Sequence, residues 1–341
     1  MDSAQLLSLV DALKGRTVAV IGDVVADEFV YGRVARVSRE APVLILEYDS
    51  TEVVPGGAGN AANNVAALGG RAVLSAVVGR DDAGRRLAGA LHRRVDQTRV
   101  IRAAGHATPV KTRILAGGIH SAKQQVVRID RGVGQAFAPK ARDAFARSIE
   151  GAVLSADAVL ISDYGSGLVT PALVARLRAL LRRAEHPIPV LVDSRYQLLG
   201  YHGLTACTPN ESEVEQALGV RIGERGAALE RAGREVLART RMQAVLITRG
   251  GRGMALFEPG APTLHIPIHG SDEIADVTGA GDTVMATMTM ALAAGATFVA
   301  AATLANYAGG IVVMKRGTAT VSADELRAAV RAGARNVGAR G

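Results

Sequence analysis

Short apolar runs rich in β-branched residues alternate with segments of helical periodicity along most of this chain. That alternation constrains the fold strongly, because parallel strands need a long crossover between them, and helices packed on both sheet faces supply it. Thr17–Gly22 reads as a buried strand ending in glycine, followed by a small-residue helix over 57–68, a strand over 71–78 and a helix over 84–94. Further strands are expected at 158–161, 190–192, 205–208 and 244–248, separated by helices over 171–184, 211–218 and 224–239. A last helix at 322–334 follows the helix-breaking Gly317. Two stretches, 28–48 and 110–129, break the rhythm with strands at 42–47 and 126–129. They are predicted to form a small sheet over the C-terminal ends of the core strands, where open α/β sheets bind ligands. The lid so drawn takes in 28–54 and 108–132 of what reads as one domain over 1–341, with no repeat or low-complexity linker.

Composition narrows the function classes. The chain is 48% hydrophobic and 21% charged, which fits a compact fold and not a disordered one. A lone cysteine, Cys207, excludes a disulfide framework and fits a reducing cytoplasm. No basic segment leading into an apolar core is apparent at the N-terminus, so no secretory signal and a cytoplasmic location are expected. Residues 283–314 carry no charge and are long enough to span a bilayer, but Ala, Gly and Thr dominate and 293–297 breaks the run. Two buried helices joined by a tight turn are expected there, and no membrane association. The formal charge of +8 invites a nucleic-acid reading. Arginines are nevertheless spread along the chain and aromatics are only 3%, which leaves little for base stacking, so small anionic ligands are expected.

The chemistry concentrates in two glycine clusters. Asp276-Val-Thr-Gly-Ala-Gly-Asp282-Thr283 sets a glycine-rich turn ahead of an apolar helix. The N–H groups of Gly279, Ala280 and Gly281, with the unpaired first helical turn, suit an anion. A carboxylate in that position reads as a general base for a hydroxyl attacking a phosphoryl group. The alternative is an ordinary strand-to-helix turn with Asp282 as a cap. Gly56-Gly-Ala-Gly-Asn60-Ala-Ala-Asn63-Asn64 also runs into a helix, and residues 57–62 fit the G-x-G-x-x-A dinucleotide fingerprint, though the first strand ends far upstream at Gly22. Its asparagines suit hydroxyl recognition, because an amide both donates and accepts; a purely structural turn is the other alternative. Asp23 and Asp27 lie just past the first strand, where they either meet polyol hydroxyls or cap loops. Asn210 and Glu213 form a capping-box pattern or help hold Mg²⁺ through water. Thr248-Arg-Gly-Gly251 is either a turn against a nucleotide or a hairpin turn. His265 and His269 flank Pro267 in a strand-like segment, so no zinc site is expected. No P-loop or G-x-S-x-G elbow occurs.

Taken together, these residues resemble the ribokinase-like (PfkB) sugar kinases over nearly the whole chain. The resemblance implies a three-layer α/β/α sandwich with a small β-sheet lid, ATP-dependent transfer to a sugar hydroxyl, Asp282 as base and residues 279–281 as an anion hole. It also implies that Asp23, Asp27, Gly56, Gly57 and Asn60 bind the sugar, that Asn210 and Glu213 organise Mg²⁺ and phosphate, and that Thr248, Gly250 and Asn306 lie near the nucleotide. Within the family the likeness is to D-glycero-β-D-manno-heptose 7-phosphate kinases, which act in ADP-heptose synthesis for lipopolysaccharide. It is carried by Tyr31–Val43, Lys111-Thr-Arg113, Gln124–Asp130 and Ser162–Gly167. These segments add Arg113, Gln125 and Asp163 as substrate-binding residues, with basic side chains facing a sugar phosphate. A homodimer paired through lid strands is expected, and a monovalent-cation requirement is left open. Two departures stand out. The chain ends soon after the kinase part, so the nucleotidyltransferase domain fused in many such proteins is expected to be absent. Asp193-Ser-Arg195 stands where that group has Asp-Pro-Lys, and Arg and Lys are not interchangeable at phosphate sites. The competing expectations are a kinase of a fructose phosphate or ribose, an NAD-dependent oxidoreductase using residues 57–62, and a catalytically silent ligand-binding regulator.

Overall fold

The structure, a computed structural model, describes residues 2–117, 123–223, 226–270, 276–315 and 317–338. Residues 118–122 of the expected lid and 224–225 of the expected 224–239 helix lie outside the described residues. The chain begins with α1 (Ser3–Ala12), β1 (Thr17–Gly22), β2 (Val24–Val37), β3 (Leu44–Gly57), α2 (Ala58–Ala67) and β4 (Arg71–Gly79). It continues through α3 (Asp82–Gly89), β5 (Val95–Asp96), β6 (Val100–Ala103), β7 (Val110–Gly117), β8 (Gln124–Arg131), α4 (Pro139–Val153) and β9 (Ala158–Asp163). Next come α5 (Pro171–Leu181), β10 (Val190–Ser194), β11 (Ala206–Cys207), α6 (Glu211–Leu218), α7 (Gly226–Thr240) and β12 (Ala244–Thr248). The last elements are β13 (Met254–Phe257), β14 (Leu264–Ile266), α8 (Ala280–Ala293), α9 (Phe298–Val312) and α10 (Ala323–Gly338).

The main sheet runs β14-β13-β12-β11-β10-β9-β1-β4-β5, with β6 also on β4. Its strands are parallel except for the β12–β13–β14 meander. Because side chains alternate faces along a strand, each core strand feeds two apolar layers. Val18 and Val20 of β1 pack with Val10 of α1, Val65 of α2, Met288 of α8, Leu304 of α9 and Leu326 of α10. Ala19 and Ile21 pack instead with Phe145 of α4, Leu177 of α5 and Val236 of α7. This is the expected three-layer sandwich. A second sheet, β3-β2-β7-β8, is the lid; it leaves the core at the C-terminal end of β1.

Several boundaries differ from expectation for local reasons. The expected 205–208 strand is only Ala206–Cys207, since Pro209 has no N–H to extend it. The expected 84–94 helix begins at Asp82, capped by Asp81 (Oδ1 accepts from Gly84 N at 2.9 Å). It ends at Gly89, and His92 N donates to Asn63 Oδ1 at 2.8 Å beyond it. The lid strands are longer than predicted, because β2 and β3 pair from Val24↔Gly57 outward. Helix α4 has no counterpart in the sequence reading; its stripe of Ala141, Phe145 and Ile149 is sparse. The uncharged 283–314 stretch divides into α8 and α9, and no helix among the described residues is long and apolar enough to cross a membrane.

Candidate active site

Helix α8 begins at the glycine turn. Gly279, its N-cap, has φ 77°, a left-handed conformation that glycine adopts without strain. A Cβ there would stand 2.5 Å from Asn60 Nδ2, so the turn is also closely packed. Asp276 ties the turn down: Oδ1 accepts from Thr278 N (2.9 Å) and Oδ2 from Gly317 N (3.0 Å). Asp282, in the first turn of α8, is buried. Its Oδ2 accepts from Asn60 Nδ2 at 3.0 Å and its Oδ1 from the Tyr164 hydroxyl at 3.1 Å. Burial pushes its pKa up to about 6, against the lowering effect of those two donors. It is a carboxylate that is ionised at neutral pH and still basic.

Asn60 is itself held in place. Asn64 Nδ2 donates to Asn60 Oδ1 at 3.1 Å, and Asn64 Oδ1 accepts from Val321 N at 3.2 Å. An amide that accepts on its oxygen must present its NH₂ elsewhere, here to Asp282 and to Gly279 O (3.2 Å). The structure therefore joins Asn60 to the candidate base. The dinucleotide fingerprint at 57–62 lacks its context: α2 follows a strand of the antiparallel β2–β3 pair, not a core strand.

Asp282 lines a central hollow that shares walls with two others. The central one, of about 220 Å³, is lined by Asp27, Lys111, Arg113, Tyr164, Arg195 and Asp282, with Gly57 and Gly279 also on its wall. A cavity of about 380 Å³ opens past Gly281 and brings together Thr248, Gly250 and Asn306, the three residues the sequence placed near a nucleotide, with Asn210 and Ala280; Glu213, expected with Asn210 at the magnesium, does not line it. An outer cavity of about 380 Å³ reaches under the lid and shares Lys111, Tyr164 and Arg195 with the central one; Asp23, Arg128 and Asp130 also line it.

Other predicted residues take different places. Asn210 caps α6, its Oδ1 accepting from Glu213 N at 2.9 Å, while Glu213 Oε2 accepts from Asn210 N at 2.9 Å; the capping box is real. Thr248 and Gly250 lie at the hairpin between β12 and β13, so the turn reading and the cavity position hold together. Asp23 lines the outer cavity, but its carboxylate accepts from Tyr164 N (2.9 Å), Ser166 N (3.2 Å) and Ser166 Oγ (2.5 Å). Burial raises its pKa. Asp27 and Arg113 form a buried ion pair at 2.5 Å, and a Cβ on Gly56 would strike Asp27 Oδ2, so Gly56 makes room for that pair. Asp163 lines none of the three hollows; its carboxylate accepts from Gly165 N, Ser194 Oγ and Tyr201 OH at 2.7–2.9 Å. Gln125 is exposed on β8, also away from them.

Tyr164 was not a sequence candidate, and Lys111, Asp193 and Arg195 were marked only as parts of the Lys111–Arg113 and Asp193–Arg195 segments. The Tyr164 ring carries Arg195 Cζ 4.2 Å and Lys111 Nζ 5.3 Å from its centroid. Burial, with the negative charges of Glu213 and Asp282, raises the Asp193 pKa well above the carboxylate range, and burial raises that of Glu213. Tyr164 and Arg195 directly follow β9 and β10, at the sheet edge where ligands bind; that position was the available signal. Among the described residues no cluster of three His, Cys, Asp or Glu side chains that could hold a metal occurs.

The family model described as pfkB family carbohydrate kinase matches residues 16–325. The chain is 42% identical over 330 residues to the bifunctional protein HldE of Caulobacter vibrioides, covering 96% of this chain and 66% of that one. It is 40% identical over 309 residues to the bifunctional protein HldE of Geobacter sulfurreducens, covering 90% and 61%. The chain thus spans less than two thirds of the length of these relatives. Among solved structures, Arabidopsis thaliana ribokinase complexed with ribose and ATP superposes with a TM-score of 0.67 at 18% identity, over 93% of this chain and 99% of that one. Escherichia coli phosphofructokinase-2 in complex with fructose-6-phosphate gives 0.70 at 18%, over 94% and 99%. Both share the ribokinase-like α/β fold.

Proposed function

Since the chain belongs to the pfkB family of carbohydrate kinases and is a phosphotransferase acting on a sugar hydroxyl, we propose that its acceptor is D-glycero-D-manno-heptose 7-phosphate. The γ-phosphoryl group of ATP moves to the anomeric hydroxyl, giving the 1,7-bisphosphate and ADP. The motif likeness to heptose 7-phosphate kinases and the identity to HldE proteins support this acceptor.

In this reading ATP occupies the cavity lined by Asn210, Thr248, Gly250 and Asn306. Residues 279–281 border the central and nucleotide hollows at the N-terminus of α8, where backbone donors would stabilise developing negative charge, although Ala280 N already donates to Val277 O at 3.2 Å. The hydroxyl oxygen attacks phosphorus, its proton passes to Asp282, and the bond to the ADP oxygen breaks. A magnesium ion would suit carboxylate donors of this kind: Asp193 and Glu213 are half-buried, and loss of hydration holds their pKa values up against the opposing charge of Arg195. These two would hold it, with phosphate and water completing its shell, and it would neutralise charge on the phosphates. The amide oxygen of Asn210 is engaged in the helix cap, which leaves Glu213 the stronger candidate of the predicted pair.

The observation that carries the reading is Asp282, buried, basic and held by two donors on the wall of the central hollow. An ADP-release screen over heptose 7-phosphate, fructose phosphates and ribose tests it. Highest kcat/KM with heptose 7-phosphate is expected; faster turnover of another sugar overturns the acceptor, and no ADP from any sugar overturns the reaction. We place this kinase in the cytoplasm and read it as a homodimer paired through its lids. Support comes from exposed apolar lid residues, among them Val37, Val43, Tyr48, Val127 and Ile129. A monomer by light scattering at micromolar concentration would reject the dimer.

A further inference from the structure

A further hollow of about 530 Å³ lies at the edge of the main sheet opposite to Tyr164 and Arg195. It is larger than any of the three already described and shares no residue with them. Val190, which lines it, opens β10, while Thr205 and Gln243 stand just before the parallel strands β11 and β12. Two arginines face it from one helix: Arg178 in the last turn of α5 and Arg182 at its C-cap. Four residues apart, they share a helix face with their Cβ atoms about 5–6 Å from each other. The C-terminal end of a helix favours a cation, which accounts for the residue type there. It does not account for their state. Among the described residues neither guanidinium has a hydrogen-bond or ion-pair partner, whereas Arg176 on the same helix pairs with Glu150 at 3.5 Å. Arg178 is half-buried and lies against Gly203: a Cβ on that glycine, whose φ is 61°, would stand 2.6 Å from Arg178 Nη2. A guanidinium held in place with its donors unused is a prepared anion contact.

The rest of the lining says what the anion is attached to. Leu181 and Ile188 are half-buried on the same wall, with Pro187 and Pro189 on either side of Ile188. Proline fixes its own φ, so this wall is stiff. It is also tied to the sheet, since Val190 N donates to Thr205 Oγ1 and Thr205 N to Val190 O, each at 2.9 Å. Gln243 is exposed at the rim, and its side-chain amide both donates and accepts. A bare anion would use the arginines and leave the apolar wall wet. An apolar molecule would use the wall and leave the arginines unpaired. A ligand that uses both has linked anionic groups on a flat body with a hydrogen-bonding edge. Two planar donor forks one helical turn apart suit two joined phosphates, and the volume lies within the range of small-molecule sites.

We propose that this hollow is a second ligand site, for a nucleoside diphosphate, with the phosphates on Arg178 and Arg182, the base on the wall of Leu181 and Ile188, and the edge of the base at Gln243. The site goes beyond the kinase reading and uses none of its residues. Glu185, the acid among the residues that line the hollow, is exposed and pairs with neither arginine. Its charge opposes a bound phosphate, so it sets the affinity from the other side.

The test titrates the full chain with ADP by calorimetry and maps ADP-dependent protection by hydrogen–deuterium exchange. The wild type should bind a second ADP per chain besides the one at the kinase site, with protection over residues 181–190 and 203–205. Arg178→Gln and Arg182→Gln should each raise the Kd of the second site by about 10- to 100-fold, the range for a lost charged hydrogen-bond donor. The double variant should lose that site while KM for ATP stays within about twofold. Glu185→Gln should tighten it by about two- to tenfold, as a like charge is removed. Pyrophosphate should bind it at least about tenfold more weakly than ADP; equal binding would overturn the nucleoside class. An ADP stoichiometry unchanged in the double variant, or no protection over 181–190 at millimolar ADP, would overturn the site. One ADP per wild-type chain, lost in the double variant, would keep this site while the kinase reading falls. Thermal unfolding midpoints without ligand establish that each variant is folded, and Glu185→Gln, at an exposed position, carries the test if the double variant is not.

Discussion

Asn60 and Asp282 lie 222 positions apart in sequence, yet the amide of one donates to the carboxylate of the other at 3.0 Å. The bond links the two glycine clusters, and its direction is set by Asn64, which holds the Asn60 oxygen. Replacing Asn64 with Leu leaves Val321 N and the Asn60 oxygen without their partner. A loss of about 2–4 kcal/mol of stability is expected, within the range for two orphaned buried groups. Freed to turn, Asn60 no longer lowers the Asp282 pKa, so the acid limb of the kcat profile should move to higher pH. A variant destabilised with an unshifted limb would make Asn64 a packing residue alone.

Asp282→Asn separates catalysis from folding. The amide can accept from Asn60 and donate to Tyr164, so the local network survives. Turnover should fall on the order of a hundredfold or more, with sugar and ATP binding retained. Stability should move the other way. The folded-state pKa is raised from 3.8 to about 6, so the wild type bears the penalty of a buried charge above pH 6 and none below pH 3.8. Asp282→Asn is therefore expected to be more stable at pH 8, by at most about 3 kcal/mol, with the gap closing as pH falls through that window. Denaturant melts at pH 8 and pH 4 check the sign.

Gly279 and Gly281 make a controlled pair. A Cβ at Gly279 meets Asn60 Nδ2 and Thr318 Cγ2 within 3 Å on a left-handed backbone, so Gly279→Ala should cost about 1–3 kcal/mol and depress kcat. A Cβ at Gly281 meets nothing within 4 Å and enters the cavity shared with Thr248 and Asn306. Gly281→Ala should leave stability unchanged or raised by about 0.5 kcal/mol, while KM for ATP rises. The same response from both substitutions would separate the second cavity from the nucleotide.

The Asp27–Arg113 pair is buried on both sides, at 8% and 11% side-chain exposure. Arg113→Met strands a carboxylate and should destabilise by about 3–5 kcal/mol; adding Asp27→Asn should restore much of it. A double-mutant cycle with no coupling would return Arg113 to the group of free phosphate-binding candidates.

What could be seen in the sequence was mostly what local chemistry writes at the ends of elements. The Asn210–Glu213 box, the turn at Gly250 and the glycine turn before Asp282 each need particular residue types at fixed spacing, so they were legible. The alternation of apolar runs likewise gave away the layered sheet. Asp163 shows where that reading stops. It is the last residue of β9, and the strand's alternation turns it inward to Ser194 and Tyr201, while Tyr164, one position on, reaches the hollow. A motif marks the neighbourhood; the pleat decides which neighbour does the chemistry. Lys111 and Arg195 stood in segments the sequence already marked as basic, but only the fold shows that both come to the Tyr164 ring.

Two of the lid's four connections to the core are short joints: Asp23 between β1 and β2, and the direct step from Gly57, which ends β3, into α2. The joints touch, since Ala58 N donates to Asp23 O at 2.9 Å. Asn60 sits three residues beyond the second joint. The fourteen-residue strands are thus long arms on a fulcrum almost on top of the amide that aims the base. A displacement of the lid tip would reach that amide as a small rotation, so the lid's position and the aim of the base would be coupled through one short stretch of backbone.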